Sequence, residues 1–252
     1  MTPASPPQIF SARRKSARKA RAHALQRRHG AADWLAAALV EDMLDRIEFM
    51  RLEPCRALVL GTGGGELARL LERKSFRVTL AETETLDLEQ PLPFGGFGLI
   101  VSMAVLDTVN DLPGALIHQR AALADGGVML AAMVGAGSLP RLRAALLAAD
   151  GERPAARLHP AVDARGGAGL LQRAGFTRQV ADAWTLRLRY GALDTLIADL
   201  RAQGLTSALD DRAPPLTRAG LERARAAFLA DADRHGRVVE TIEVLTLTGW
   251  RG

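Results

Sequence analysis

Leu35, Leu39, Met43 and Ile47 recur at every fourth position behind Asp33, a residue able to cap a helix, and this spacing predicts an amphipathic helix with one apolar face. After Pro54 the pattern changes. Ala57-Leu58-Val59-Leu60 is a short, wholly apolar run, broken at once by Gly61-Thr62-Gly63-Gly64-Gly65, and helical spacing returns from Glu66 to Arg73 with Leu67, Leu70 and Leu71 inward. Strand, glycine loop, helix is the opening of a doubly wound α/β sheet. A second strand is expected at Arg77–Ala81 and a buried one at Gly98–Ser102, after the turn at Pro93–Gly96. A helix over Leu112–Leu123, stopped by Asp125-Gly126-Gly127, then leads to an apolar strand at Val128–Val134 and another helix at Leu139–Ala149. Fully apolar strands alternating with helices predict a mostly parallel sheet buried on both faces.

The last third reads differently. A helix near Gly169–Ala174 leads through Gly175 to a strand at Gln179–Leu188, whose apolar residues are mixed with polar ones. Helices at Ala192–Gln203 and Arg218–Asp233, separated by Pro214-Pro215, precede a closing strand at Val238–Gly249. Two strands flanking a helical insertion, about residues 190–236, suit a terminal antiparallel pair. The expected architecture is a Rossmann-like α/β domain over 33–252 behind a basic arm at 1–32.

Composition narrows the partners. The 252 residues fit one large domain, and 48% hydrophobic content is enough to build its core. Aromatics at 4% argue against stacking platforms for bases or sugars. The single cysteine, Cys55, excludes an internal disulfide framework and cysteine-cluster metal sites, so no metal is expected. No apolar run is long enough to span a bilayer, and the expected setting is soluble, reducing and cytoplasmic. The net charge of +5 belongs to the arm: residues 1–32 hold eight of the 33 Lys and Arg and no acid, leaving 25 bases against 28 acids elsewhere. Such an arm also has the composition of a transit peptide, but without an evident hydrophobic face of the required kind. Nucleic-acid binding by it is disfavoured by the mildly acidic body; the plainer expectation is a solvated helix held by Ile9, Phe10 and Leu25, with a protein partner as a further role.

The chemistry centres on the glycine loop. A strand feeding such a loop and a helix N-terminus brings backbone N–H groups and the positive end of a helix dipole to one point. No Gly-Lys-Ser/Thr follows, so this is not a P-loop, and the third glycine of a dinucleotide fingerprint would fall at Glu66. Gly61-x-Gly63-x-Gly65 instead suits adenosyl cofactors that lack a pyrophosphate. Glu82, ending the second strand, stands where an acid accepts hydrogen bonds from ribose hydroxyls.

Here the chain resembles the class I S-adenosylmethionine-dependent methyltransferases. The resemblance runs from Ile9-Phe10 through Leu58–Gly65, Leu92-Pro93-Phe94 and Val109-Asn110-Asp111-Leu112-Pro113-Gly114-Ala115-Leu116. It continues over Leu171–Phe176 and the closing Leu247-Thr248-Gly249-Trp250. The branch is that of bacterial relatives of the mitochondrial complex I assembly methyltransferase-like protein, with a more distant similarity to the malonyl-carrier methyltransferases of biotin synthesis. The resemblance implies S-adenosyl-L-methionine as cofactor, held by Gly61, Thr62, Gly63, Gly65, Glu82, Glu89, Ser102 and Met103. It also implies a further option, since the mitochondrial relative is associated with protein arginine hydroxylation.

Departures from the family pattern cluster at this site. Val59 stands where relatives carry an acid, only Asp87 and Glu89 remain of the acids before Leu92-Pro93-Phe94, with Leu88 in the key slot, and Asp107-Thr108 replace a histidine and an aromatic. Thr83–Gln90 is too short for a crossover helix and a new parallel strand, which takes about a dozen residues or more. The expected pocket is therefore open on one side, less acidic, and weak for its cofactor. Asp107 and Asp111 are acids near the mouth, but neither is assigned as a catalytic base and the catalytic residues stay unassigned; Asp111 before Leu112-Pro113 reads better as a helix cap. His23, His29, His118, His159 and His235 show no metal-ligand spacing, and Trp34, Trp184 and Trp250 read as packing rather than a sulfonium cradle. Two functions of different class stand out: a methyltransferase acting on a small-molecule or protein acceptor, and a catalytically degenerate relative serving as a binding or assembly factor.

Overall fold

Between β2 (Arg77–Ala81) and β3 (Phe97–Met103) the chain forms neither helix nor strand among its described residues, and this gap shapes the whole sheet. The computed structural model describes residues 7–28, 30–82 and 86–252; His29 and the Thr83–Thr85 part of the short connection lie outside them. With β1 (Arg56–Gly61), β4 (Leu123–Val134), β5 (Thr177–Tyr190) and β6 (Val238–Trp250), the six described strands order as β2-β1-β3-β4-β6-β5. β1 pairs in parallel with β2 and β3, and β3 with β4; β6 runs antiparallel to both β4 and β5. The doubly wound order carries one more strand outside its second. Here β2 is the edge, as the short connection requires.

Alternation along the strands divides the core into two layers. Ala57 and Val59 of β1 and Leu99, Val101 and Met103 of β3 face one apolar layer. It is completed by α2 (Trp34–Phe49), α3 (Gly64–Arg73), α5 (Pro140–Asp150), α7 (Leu193–Ala202) and α8 (Arg218–Leu229). Leu58, Leu60, Phe97 and Ile100 face the other, beneath α4 (Leu112–Ala122) and α6 (Ala164–Arg173). Side chains alternate along these strands beyond the register shift at Phe97/Leu99, so both faces are buried and the strands are almost wholly apolar, with Ser102 a buried exception.

The helices start where the sequence supplies caps. Asp111, Asp163 and Thr217 each accept the N–H of a glycine three residues on. Asp111 thus does what its place before Leu112-Pro113 implies. α6 begins at Ala164, earlier than the apolar spacing from Gly169 indicates, because Asp163 starts it and Gly167 packs where a Cβ would lie 2.6 Å from Leu247. Asp125-Gly126-Gly127 does not separate helix from strand: β4 starts at Leu123 directly after α4, and its register against β3 shifts across the glycines.

Residues ahead of α2 form a further helix, α1 (Ala12–Gln26), which packs on α7. Of the expected anchors Phe10 is buried, joined by Ala22, while Ile9 stays 37% exposed and Leu25 half-buried. The basic residues of α1 also tie it to the domain. Arg14 donates to the carbonyls of Leu209 and Ser207, Arg18 to that of Thr206 at 3.2 Å, and Arg21 to the Thr206 hydroxyl at 3.1 Å. These carbonyls lie in the loop between α7 and α8, where irregular backbone leaves acceptors for cationic donors.

Candidate active site

β1 ends at Gly61, whose φ of +94° turns the chain sharply toward β3. A Cβ at this position would lie 2.1 Å from the Met103 carbonyl oxygen, and the Thr62 N–H donates to that same oxygen at 2.9 Å. Gly63, at φ +77°, is the residue before α3 and lies against Val40 and Ala36 of α2. Two of the loop glycines therefore answer to the protein's own backbone. Gly65 has nothing within 4 Å of its Cβ direction and opens onto a cleft. The first turn of α3 leaves N–H groups without intrahelical acceptors beside that opening.

The cleft has a volume of about 1160 Å³. A pocket for one small ligand usually occupies about 300–1000 Å³, so a nucleoside cofactor and an acceptor both have room. The glycine turn and Glu82 bound one part, α1 covers it, and Asp107, Asn110 and His159 line another. Gly61, Thr62, Gly63, Gly65, Glu82 and Glu89 are thus brought together around one space.

Ser102 and Met103 are placed elsewhere. Ser102 points to the α4 face, fully buried, where its hydroxyl donates to Gln119 Oε1 at 2.9 Å. The Met103 side chain, one residue on and hence on the opposite face, is buried in the α2–α3 layer. Of the two, only the Met103 carbonyl reaches the loop, and it serves the turn itself.

The carboxylates at the cleft are engaged by the chain. Lys19 Nζ lies 3.2 Å from Glu82 Oε2. Glu89 Oε1 accepts the Asn110 N–H at 2.8 Å and stands 3.9 Å from Lys15 Nζ. Leu88 and Leu86 are buried in the α4–α6 layer, and Val59 is fully buried beneath α3. None of the three tryptophans borders the cleft, and the described residues hold no cluster of three His, Cys, Asp or Glu able to bind a metal ion.

Three residues gain a role that spacing did not reveal. Asn110 Oδ1 accepts the N–H groups of both Ile9 and Phe10 at 2.8 Å, and its Nδ2 donates to the Phe10 carbonyl. The quoted Val109–Leu116 block therefore joins the start of α1 to the sheet, a purpose its sequence distinctiveness hinted at without explaining. His159, read as an ordinary loop histidine, stacks edge-on against Phe10 and its Nε2 accepts the Ala208 N–H at 2.7 Å. That leaves the ring proton on Nδ1. Burial, with Arg18 and Arg14 nearby, lowers its pKa to about 4. Asp107 sits in a single 3₁₀ turn, Leu106–Thr108, just beyond β3. Its Oδ1 accepts the Val134 N–H, its Oδ2 is buried without a hydrogen-bond partner, and burial raises its pKa to about 6.

A glycine turn at the carboxyl edge of a parallel sheet, with an acid after the next strand, has the geometry for holding an adenosyl group. Comparison with other proteins agrees in family. A model of the methyltransferase domain matches residues 23–179. The chain is 28% identical over 242 residues to the mitochondrial arginine-hydroxylase NDUFAF5 of Mus musculus, covering 87% of this chain and 71% of that protein. It is 30% identical over 240 residues to the malonyl-acyl-carrier-protein O-methyltransferase of Halorhodospira halophila, covering 84% and 79%. In fold it is similar to the 1,6-didemethyltoxoflavin N1-methyltransferase of Burkholderia thailandensis, solved with S-adenosylhomocysteine. The TM-score is 0.52 at 14% identity, over 99% of this chain and 93% of that one. With its matched domain and its sheet order, this chain belongs to the S-adenosylmethionine-dependent methyltransferase family.

Proposed function

We propose that the chain is a working S-adenosylmethionine-dependent methyltransferase with a weakened cofactor site, acting on a small-molecule or protein acceptor. The observation that carries this reading is the open Gly65 face of the glycine turn, which borders a cleft large enough for two ligands. The backbone of Gly61, Thr62, Gly63 and Gly65 would cradle the cofactor and Glu82 would accept from its ribose, with Glu89 toward the adenine. When bound, S-adenosylmethionine supplies an already activated sulfonium methyl group. The chain then has to align an acceptor and exclude water, and α1 lying over the cleft serves that exclusion. Among the relatives some are named hydroxylases and others methyltransferases; the matched methyltransferase domain favours methyl transfer.

Weakness follows from what is missing. Losing one charge-assisted hydrogen bond costs about 1.5–3 kcal/mol, or roughly ten- to a hundredfold in affinity. Val59 and Leu88 each replace an acid on the resemblance, and Lys19 competes for Glu82. Together these would move a micromolar site toward millimolar. The lone cysteine supports a reducing, cytoplasmic setting, and no helix among the described residues is long and apolar enough to cross a membrane.

A second reading, a catalytically degenerate binding or assembly factor, is favoured by those same lysine contacts, since the chain's own α1 engages carboxylates that a cofactor would need. In that case the docked basic arm forms part of a surface for a protein partner. Calorimetric titration of the full chain with S-adenosylmethionine and S-adenosylhomocysteine separates the two. The enzyme reading expects a high-micromolar to millimolar Kd, tightened up to about fivefold in Lys19→Ala, because an exposed ion pair contributes up to about 1 kcal/mol. No heat and no thermal shift at millimolar ligand in either protein would remove it.

A further inference from the structure

Two residues that line the cleft have a buried polar atom without a hydrogen-bond partner, Gln203 at Nε2 and Asp107 at Oδ2, and of these only Asp107 offers an acceptor. Asp107 lies on the 3₁₀ turn that follows β3, and it borders the same space as the glycine turn. Its carboxylate is held from one side only: Oδ1 takes the N–H of Val134, the last residue of β4. Oδ2 is inaccessible to solvent and has no hydrogen-bond partner. Leaving a buried acceptor unmet costs about 1–3 kcal/mol, more when it is charged, so such an atom calls for an explanation.

The neighbouring groups do not supply the missing donor. Arg18 of α1 is the charged neighbour that Asp107 feels. Two of its five guanidinium hydrogens go to the Thr206 carbonyl at 3.2 Å and toward the Thr108 hydroxyl at 3.5 Å, and none is bonded to Oδ2. Val134 gives its only N–H to Oδ1. His159, across the cleft lining and also near Arg18, is held neutral by burial and presents Nδ1–H rather than a second cation. A negative, directional acceptor thus stands at the carboxyl edge of the sheet, in the same cleft as the glycine turn that would hold the cofactor.

We propose that entry of the acceptor substrate uncovers Asp107 Oδ2, and that the acceptor's nucleophile is a proton-bearing nitrogen or oxygen whose hydrogen this atom accepts. The inference rests on the methyl-transfer reading above and names its substrate class. A carboxylate acceptor is already a nucleophile, needs no base, and would be repelled by Asp107. An N–H or O–H nucleophile must lose its proton. In the step, a lone pair of the acceptor heteroatom forms the new bond to the methyl carbon as the carbon–sulfur bond breaks, its electron pair remaining on sulfur to give a neutral thioether. The heteroatom's proton passes to Asp107 Oδ2, leaving a neutral carboxylic acid that returns the proton to solvent after product leaves. Burial supports this use, because it brings the carboxyl to about 6, within reach of the pH at which it must work.

Two small probes test the idea on the full chain without a known acceptor. Imidazole carries an N–H at neutral charge; 1-methylimidazole has nearly the same shape and lacks it. Each is titrated at pH 8, with S-adenosylhomocysteine present, into protein carrying carbon-13 at aspartate carboxyls. The expected result is a saturable shift of the Asp107 carboxyl resonance by imidazole, with affinity at least fivefold above that of 1-methylimidazole. By ligand-observed NMR that preference falls below twofold in Asp107→Ala and to an intermediate value in Asp107→Asn. Equal binding of the two probes to the wild type, or a preference surviving in Asp107→Ala, overturns the proposal. The wild-type resonance decides the matter alone should a variant fold poorly. Cofactor affinity, measured separately, should change less than twofold in Asp107→Asn. Absent cofactor binding with the probe preference intact would sink the methyl-transfer reading and the transfer step, while leaving recognition of a proton-bearing ligand in place.

Discussion

Replacing Gly61 by alanine is expected to damage the fold, whereas the same change four residues on, at Gly65, is not. At Gly61 the backbone has φ +94°, a region that costs an L-residue about 1–2 kcal/mol. The added Cβ would also stand 2.1 Å from the Met103 carbonyl oxygen and 2.5 Å from Val105 Cγ1. The nearer neighbour is backbone at the end of β3, so it yields only if the β1–β3 pairing moves, and forced packing of this kind costs typically about 1–3 kcal/mol. The combined loss is about 2–5 kcal/mol from a stability that for most domains is about 5–15 kcal/mol. At about 2–4 °C per kcal/mol for a domain of this size, Tm should fall by roughly 5–20 °C. Gly65 lies in the first turn of α3 with nothing within 4 Å of a Cβ. Alanine there should leave Tm unchanged or raise it, since Gly is about 0.5–1 kcal/mol worse than Ala within a helix. If Gly65 borders the cofactor, affinity for S-adenosylhomocysteine should nonetheless fall in Gly65→Ala. Thermal melts and urea titrations of both variants, with calorimetry on Gly65→Ala, give the three readings. A Gly61→Ala protein within about 0.5 kcal/mol of wild type, or equal losses at the two positions, would refute the reasoning.

Glu240 is fully buried, and its carboxylate accepts the N–H groups of Leu142 at 2.8 Å and Thr241 at 2.9 Å, tying the start of α5 to β6. Glu240→Ala leaves those donors unmet and should cost about 2–4 kcal/mol in urea denaturation; a loss below about 1 kcal/mol would remove the role. Asn110→Ala deletes the bonds to Ile9 and Phe10, so tryptic cleavage within the basic α1 should accelerate about tenfold while the global Tm changes little; an unchanged cleavage rate would mean other contacts suffice. Stability against pH is the fourth case. His159, lowered from 6.5 to about 4, binds fewer protons folded than unfolded, so its contribution is lost as pH falls through that window. Asp107, raised from 3.8 to about 6, binds more protons folded, so stability is gained as pH falls from 6 toward 4. Each amounts to at most about 3 kcal/mol, and they nearly cancel. Asp107→Asn should therefore unmask a fall in stability between pH 6.5 and 4 that wild type lacks, and His159→Gln the reverse; urea midpoints across that range that track wild type in both variants would contradict it.

The alternating and fully apolar runs determined the strands and helices closely, because burial on both faces leaves a parallel strand few polar positions. The glycine loop was legible for a related reason: a turn at φ +94° pressed on a carbonyl admits little else. Chain length determined the trimmed edge at β2, since the eight residues Thr83–Gln90 cannot carry both a crossover helix and a further parallel strand. Long-range placement was another matter. That Ser102 faces α4 and Met103 the opposite layer depends on which parity of β3 meets which helices, and that in turn depends on the register with β1 and β4. The arm's arginines read as solvated charge, yet they donate to carbonyls nearly two hundred residues away in sequence. Asp107 was visible as a residue but not as an atom with an unmet bond, because its burial and its single donor come from three distant segments folded onto one another. Local pattern reports what each stretch of chain prefers; only packing decides which groups find partners and which remain open.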